Sequence, residues 1–140
     1  TNDLVTLANR YQNLAATSEP GSAQKSNAIN KAIETINTVI EKVPNNHIPV
    51  RNKARMYMVK NDNQPSEDMV NTYKQMIALL DTDPANLEKR VDDYREAYQM
   101  IASYYIAQKD IPNAKAFYKK MYALDPDNQA LRDYIERLKD

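Results

Sequence analysis

Few residues in this chain have types and spacing suited to chemistry. The single histidine, His47, lies in Pro44-Asn45-Asn46-His47-Ile48-Pro49. A histidine-based metal centre or a Ser–His–Asp relay would rest on it alone, and no spaced carboxylate stands near it in sequence. It therefore reads as a solvated loop residue. Carboxylates come in close pairs: Asp81 and Asp83, Asp92 and Asp93, Asp125 and Asp127. Asp125-Pro126-Asp127-Asn128 looks like the start of a calcium loop, but that loop needs a glycine at its sixth position for a sharp turn. Here the sixth residue is Ala130, although Glu136 stands at the twelfth. Helix capping accounts for these acids more simply. Residue type leaves a paired-carboxylate glycosidase open, yet there is no tryptophan to stack a sugar. The absence of cysteine removes disulfides, thiolate zinc sites and cysteine nucleophiles. Gly21 is the only glycine, whereas phosphate-cradling loops and dinucleotide fingerprints need several at fixed offsets.

Nor does the charge balance point to a polyanionic partner. Lys plus Arg is 19 and Asp plus Glu is 19, for a net charge of zero over 140 residues. A protein that neutralises phosphates carries a basic surplus, so nucleic acid is not expected as a partner. Charge runs such as Glu88-Lys89-Arg90 and Lys119-Lys120 are short and read as solvated faces. No apolar run reaches the length of a membrane span. The first residue is Thr1, from which a fragment of a longer protein is expected. The compartment stays open: cytoplasmic, or periplasmic or secreted if a signal sequence has been removed. No cofactor, metal or catalytic residue is expected.

With so little catalytic equipment, the elements themselves carry the information. In residues 95–128, Tyr98, Ile101, Ala102 and Tyr105 share one helical face, and Ala114, Phe117, Tyr118, Met121 and Leu124 share another. Leu87, Val91 and Tyr94 extend the first stripe backwards, so that helix is expected to begin near residue 86. Between the two faces, Asp110 is a good N-cap and Pro112 falls in the first turn, where a missing N–H costs nothing. Pro126 ends the pair. The N-terminal third follows the same plan: Leu4, Leu7, Ala8, Tyr11, Leu14 and Ala15 form one stripe. After the breakers of 17–22, Ile29, Ala32, Ile33, Ile36, Val39, Ile40 and Val43 form a second, stopped by Pro44. In the middle third, Val50, Ala54, Tyr57 and Met58 mark one helix. Ser66 caps the next, which carries Met69, Val70, Tyr73, Met76, Ile77 and Leu80. Leu131, Tyr134, Ile135 and Leu138 share the face of a last, solitary helix. There is no strand signal. The expectation is an all-α domain of about seven helices in antiparallel hairpins at 1–44, 45–84 and 85–127, closed by a capping helix at 128–140.

These residues resemble tetratricopeptide repeats, stacked helix pairs of about 34 residues each. The third hairpin carries the full pattern in Tyr98, Ile101, Ala102, Tyr105, Ala114, Tyr118, Met121 and Pro126. Ala102 and Ala114 fall where that family needs small residues, because paired helices approach closely there. The first hairpin matches through Leu4, Leu7, Ala8 and Tyr11, then Ala32, Ile36, Val39 and Pro44, with 12 residues too many between Tyr11 and Ala32. The middle hairpin departs most: Lys74 and Thr82 are off pattern, and Pro84 comes late.

The resemblance implies a superhelix whose inner wall, made by the first helix of each pair, binds a peptide or partner segment. Carried onto this chain, the wall is Asn2, Val5, Asn9, Gln12 and Asn13; then Asn52, Arg55, Met56 and Val59; then Glu96, Gln99, Met100, Ser103 and Ile106. Most are amides and apolar residues, and amides bond an extended backbone without adding charge. A subgroup of the family clamps a terminal carboxylate with cations. Here only Asn9 matches that clamp, Val5 stands in place of a lysine, and Glu96 would repel the ligand. The implied role is a non-catalytic interaction module, adaptor or scaffold; the alternative is a structural spacer packed against another domain of a larger protein. Most of the ten tyrosines are expected to pack on the apolar stripes; Tyr104 and Tyr122 lie off the main stripe, where packing and a partner-facing role both stay open. Met56 and Met100 are expected as soft contact surface, and Met58, Met69, Met76 and Met121 as core.

Overall fold

A computed structural model describes residues 2–139. It is all-α, with eight helices and no strand among the described residues: α1 (Asn2–Thr17), α2 (Ala23–Lys42), α3 (His47–Lys60), α4 (Glu67–Leu80), α5 (Asn86–Lys89), α6 (Val91–Ala107), α7 (Ile111–Leu124) and α8 (Gln129–Arg137). The chain forms two compact units, residues 1–79 and 80–140. In the first, α1 packs on α2 and α2 on α3; in the second, α6 packs on α7, with α5 against α6 and α8 against α7.

The capping signals act as the residue types dictate. The Asp110 carboxylate accepts from the Asn113 backbone N–H at 3.3 Å, and Pro112 lies in the first turn of α7. The Ser66 hydroxyl accepts from the Met69 N–H at 3.2 Å at the start of α4. Each of these bonds satisfies one backbone donor that a helix start leaves free. The surplus of 12 residues in the first hairpin goes mainly into longer helices. α1 runs on from Tyr11 to Thr17, and α2 begins at Ala23, well before Ala32.

Four expectations need correction. The stripe from Leu87 to Tyr105 is not one helix. Arg90, at φ −121° and ψ 33°, leaves helical geometry and divides it into α5 and α6, which makes eight helices rather than seven. His47 is not in a loop: it is the first residue of α3, and the Asn46 side chain caps that helix by accepting from the Ile48 N–H at 3.0 Å. Pro49 sits in the same first turn, where no intrahelical donor is needed. Leu7 and Leu14 do not join the core. They are 39% and 38% exposed, while Ala8 and Ala15 on the neighbouring face of α1 are buried.

The core of the first three helices gathers Ala8, Ala15, Ala28, Ile29, Ala32 and Ile36 with Met56, and Tyr11, Ile33, Ile40 and Val59 pack against it. Met56 was expected at a contact surface and is instead 3% exposed within this cluster. Two alanines on each of α1 and α2 let those helices approach closely, and the unbranched thioether of Met56 from α3 joins their cluster. In the second unit Ala102, Ala114, Tyr118 and Ile135 form the centre of a cluster onto which Tyr105, Phe117, Met121 and Tyr122 pack.

Candidate functional site

A groove of about 320 Å³ opens in the first unit, between α1 and α3 and over the C-terminal half of α2. Asn2, Val5, Ala8, Asn9 and Gln12 of α1 form one wall, since residues three and four apart share a helical face. Ile36, Val39 and Val43 form the floor. The other side is Asn46, Ile48, Pro49 and Asn52, from the cap and first turns of α3. Apolar floor and amide rim are the usual composition of a small binding site, in which apolar area gives affinity and a few polar groups orient the ligand. Every lining residue is uncharged.

Of the residues assigned to the inner wall, Asn2, Val5, Asn9, Gln12 and Asn52 meet in this groove. Asn13 is exposed on α1 outside its lining, and Arg55 is exposed on α3. Val59 lies elsewhere. It packs on the core from the far end of α3 and borders a second hollow with Gly21, Ser22, Lys25 and Lys60. The floor, which periodicity marks only as core, and the rim at Asn46, Ile48 and Pro49, which its prolines and asparagines mark as a loop, lie outside the assigned wall. The positions of Ile36 and Val39 on the core stripe of α2, next to the assigned wall, were the available signal.

In the second unit Glu96, Gln99, Met100 and Ser103 are half-buried on α6. Gln99 and Ser103 face inward to each other, with the Gln99 amide donating to the Ser103 hydroxyl at 3.2 Å. Both stand near the Tyr118 hydroxyl of α7, as does Tyr134 of α8, and all three act on its ionisation. The Tyr118 and Tyr134 rings meet edge to face, with centroids 5.0 Å apart and planes at 80°. Ile106 packs on the same cluster. Tyr122, off the main stripe, is half-buried against that cluster too, and Tyr104 stands edge-on to Tyr105 at 5.5 Å.

Three members of the carboxylate pairs bond the backbone, an amide side chain and a tyrosine. Asp83 accepts from the Ala85 N–H at 3.0 Å, Asp125 accepts from the Asn128 side chain at 3.2 Å, and Asp81 accepts from the Tyr94 hydroxyl at 2.7 Å. Among the described residues no group of three or more metal-ligating side chains comes together, and no helix is long and apolar enough to cross a membrane.

Burial, and then the bond to Asp81, push the Tyr94 phenol far above its ordinary range. Burial, and then the bond to Tyr134, push Tyr118 up to about 12, with the donors Gln99 and Ser103 opposing the rise. A raised phenol pKa means that the fold favours the neutral form. The unfolded chain ionises from about pH 10, so the contribution is complete below that pH and is lost as pH climbs toward 12. Urea unfolding across this alkaline window is expected to show falling stability, with Tyr94 and Tyr118 becoming tyrosinate only as the chain unfolds. Flat stability to pH 12 would contradict the buried setting of both rings. No family model matches this chain, and no curated protein matches it.

Proposed function

We propose that the chain is a non-catalytic binding module of the tetratricopeptide-repeat kind, whose α1–α3 groove holds an extended segment of a protein partner. One observation carries this reading. Five residues assigned to an inner wall from repeat register alone, Asn2, Val5, Asn9, Gln12 and Asn52, line a single cavity of about 320 Å³. Side-chain amides both donate and accept, so they can bond the N–H and C=O groups of an extended peptide. The apolar floor takes up a side chain of that peptide.

The test is selection of peptides from a displayed library against the full chain, followed by affinity measurement with Val5→Glu. Val5 is 39% exposed, so the change is expected to leave thermal melting within about 0.5 kcal/mol of the parent. It places a charge in an uncharged groove and is expected to weaken selected peptides by roughly tenfold or more, since a desolvated unpaired charge costs well over 1 kcal/mol. Peptides that bind Val5→Glu as well as the parent would move the site off this groove. A structural role against another domain of a larger protein draws on a different feature, the exposed Leu7 and Leu14 one turn-pair apart on α1. Selected peptides sensitive to Leu7→Ser and indifferent to Val5→Glu would favour it.

A further inference from the structure

In each unit a central helix packs on the helix before it and on the helix after it, α2 on α1 and α3, and α7 on α6 and α8. Pro44 and Pro126 occupy equivalent places, and counting from them sets α2–α3 on α7–α8. Ala32 then falls on Ala114, both fully buried, and Asn46 falls on Asn128, both capping the helix that follows with their side chains. In this register Ile36 stands where the second unit has Tyr118, and Asn52 stands where it has Tyr134. The repeat pattern likewise sets Val5 and Asn9 of α1 on Gln99 and Ser103 of α6. In the second unit the two rings meet edge to face, and the hydrogen-bonded Gln99 and Ser103 of α6 stand near the Tyr118 hydroxyl. In the first unit both rings are missing, and the groove stands open at that place. Amides remain around it in Asn9, Gln12 and Asn52.

We infer that the groove accepts the phenol side chain of a tyrosine presented by an uncharged stretch of partner peptide, its ring on Ile36 and Val39 and its hydroxyl among the amides of Asn9 and Asn52. This rests on the groove-binding reading and narrows it to one anchor. The chain itself places a phenol at this register, Tyr118 on the second helix of its trio, with its hydroxyl near Gln99 and Ser103 of the first. An uncharged lining disfavours a phosphorylated or sulfated ring, which would lose its hydration without gaining a counter-charge. Tyrosine is also well suited as an anchor, because it buries large area through few rotatable bonds and brings a polar tip.

The experiment is a titration of the isotope-labelled full chain with N-acetyl-tyrosinamide, read from backbone amide shifts. The expected result is saturable change at Val5, Asn9, Val39 and Asn52. Binding should be roughly 2- to 10-fold tighter than for N-acetyl-phenylalaninamide, the worth of one hydrogen bond to the hydroxyl. N-acetyl-phosphotyrosinamide should give no saturable change. Asn52→Tyr supplies the missing ring from within and should abolish the response. Should that variant not fold, Val5→Glu serves in its place. Phenylalaninamide or leucinamide binding as tightly as tyrosinamide overturns the tyrosine assignment and leaves the groove as a general peptide site. No saturable shift with any probe also overturns it, while the displayed-peptide selection judges the broader reading by itself.

Discussion

Ala102→Leu is expected to destabilise the chain by about 1–3 kcal/mol, through overpacking where α6 crosses α7. Ala102 and Ala114 are both 0% exposed and belong to one cluster with Tyr118 and Ile135. Interiors are packed as densely as organic crystals, so three added carbons have no room unless α6 and α7 separate. Separation would also pull Tyr118 from Gln99 and Ser103. For a chain of this size the loss corresponds to a melting temperature roughly 3–12 °C lower. Ala107→Leu is the control: Ala107 ends the same helix and is exposed, so the same added volume should leave melting within about 0.5 kcal/mol. Equal melting of Ala102→Leu and the parent would mean that the face of α6 toward α7 has been misassigned.

That assignment was legible in the sequence because the hairpin at 95–128 carries several independent signals: apolar spacing, two alanines, an Asp cap, and prolines inside and after. The caps at Ser66 and Asp110 were legible for the same reason, since a side-chain oxygen just before a stripe has a definite partner in the first turn. Arg90 was not. Neither glycine nor proline marks it, and Glu88-Lys89-Arg90 gives no local reason to leave the helix. Leu7 and Leu14 failed differently. Periodicity says that they share a side with Tyr11, but only a neighbouring helix decides whether that side is covered, and they stay more than a third exposed. Met56 failed in the opposite sense, because the cluster that buries it comes from α1 and α2, far from it in sequence.

The wall of the groove was visible as one face of α1 and one residue of α3. Its depth was not, because depth depends on what the floor lacks, and only the comparison of Ile36 with Tyr118 exposes that. The same comparison makes a strong prediction in the second unit. Tyr118→Ile copies the residue of the first unit into α7, and is expected to cost roughly 2–4 kcal/mol. It removes a ring that is 7% exposed and ends the edge-to-face contact with Tyr134. Tyr118→Phe keeps the ring and should cost only about 1 kcal/mol, the part due to the hydroxyl. Denaturant unfolding separates the two, with a lower midpoint and an unchanged slope expected for each. If Tyr118→Ile unfolds at the parent's midpoint, the ring pair does not close that space, and its likeness to the open groove is lost. If it is costly while Tyr118→Phe is nearly neutral, the volume of the ring separates a filled helix trio from one with room for a ligand.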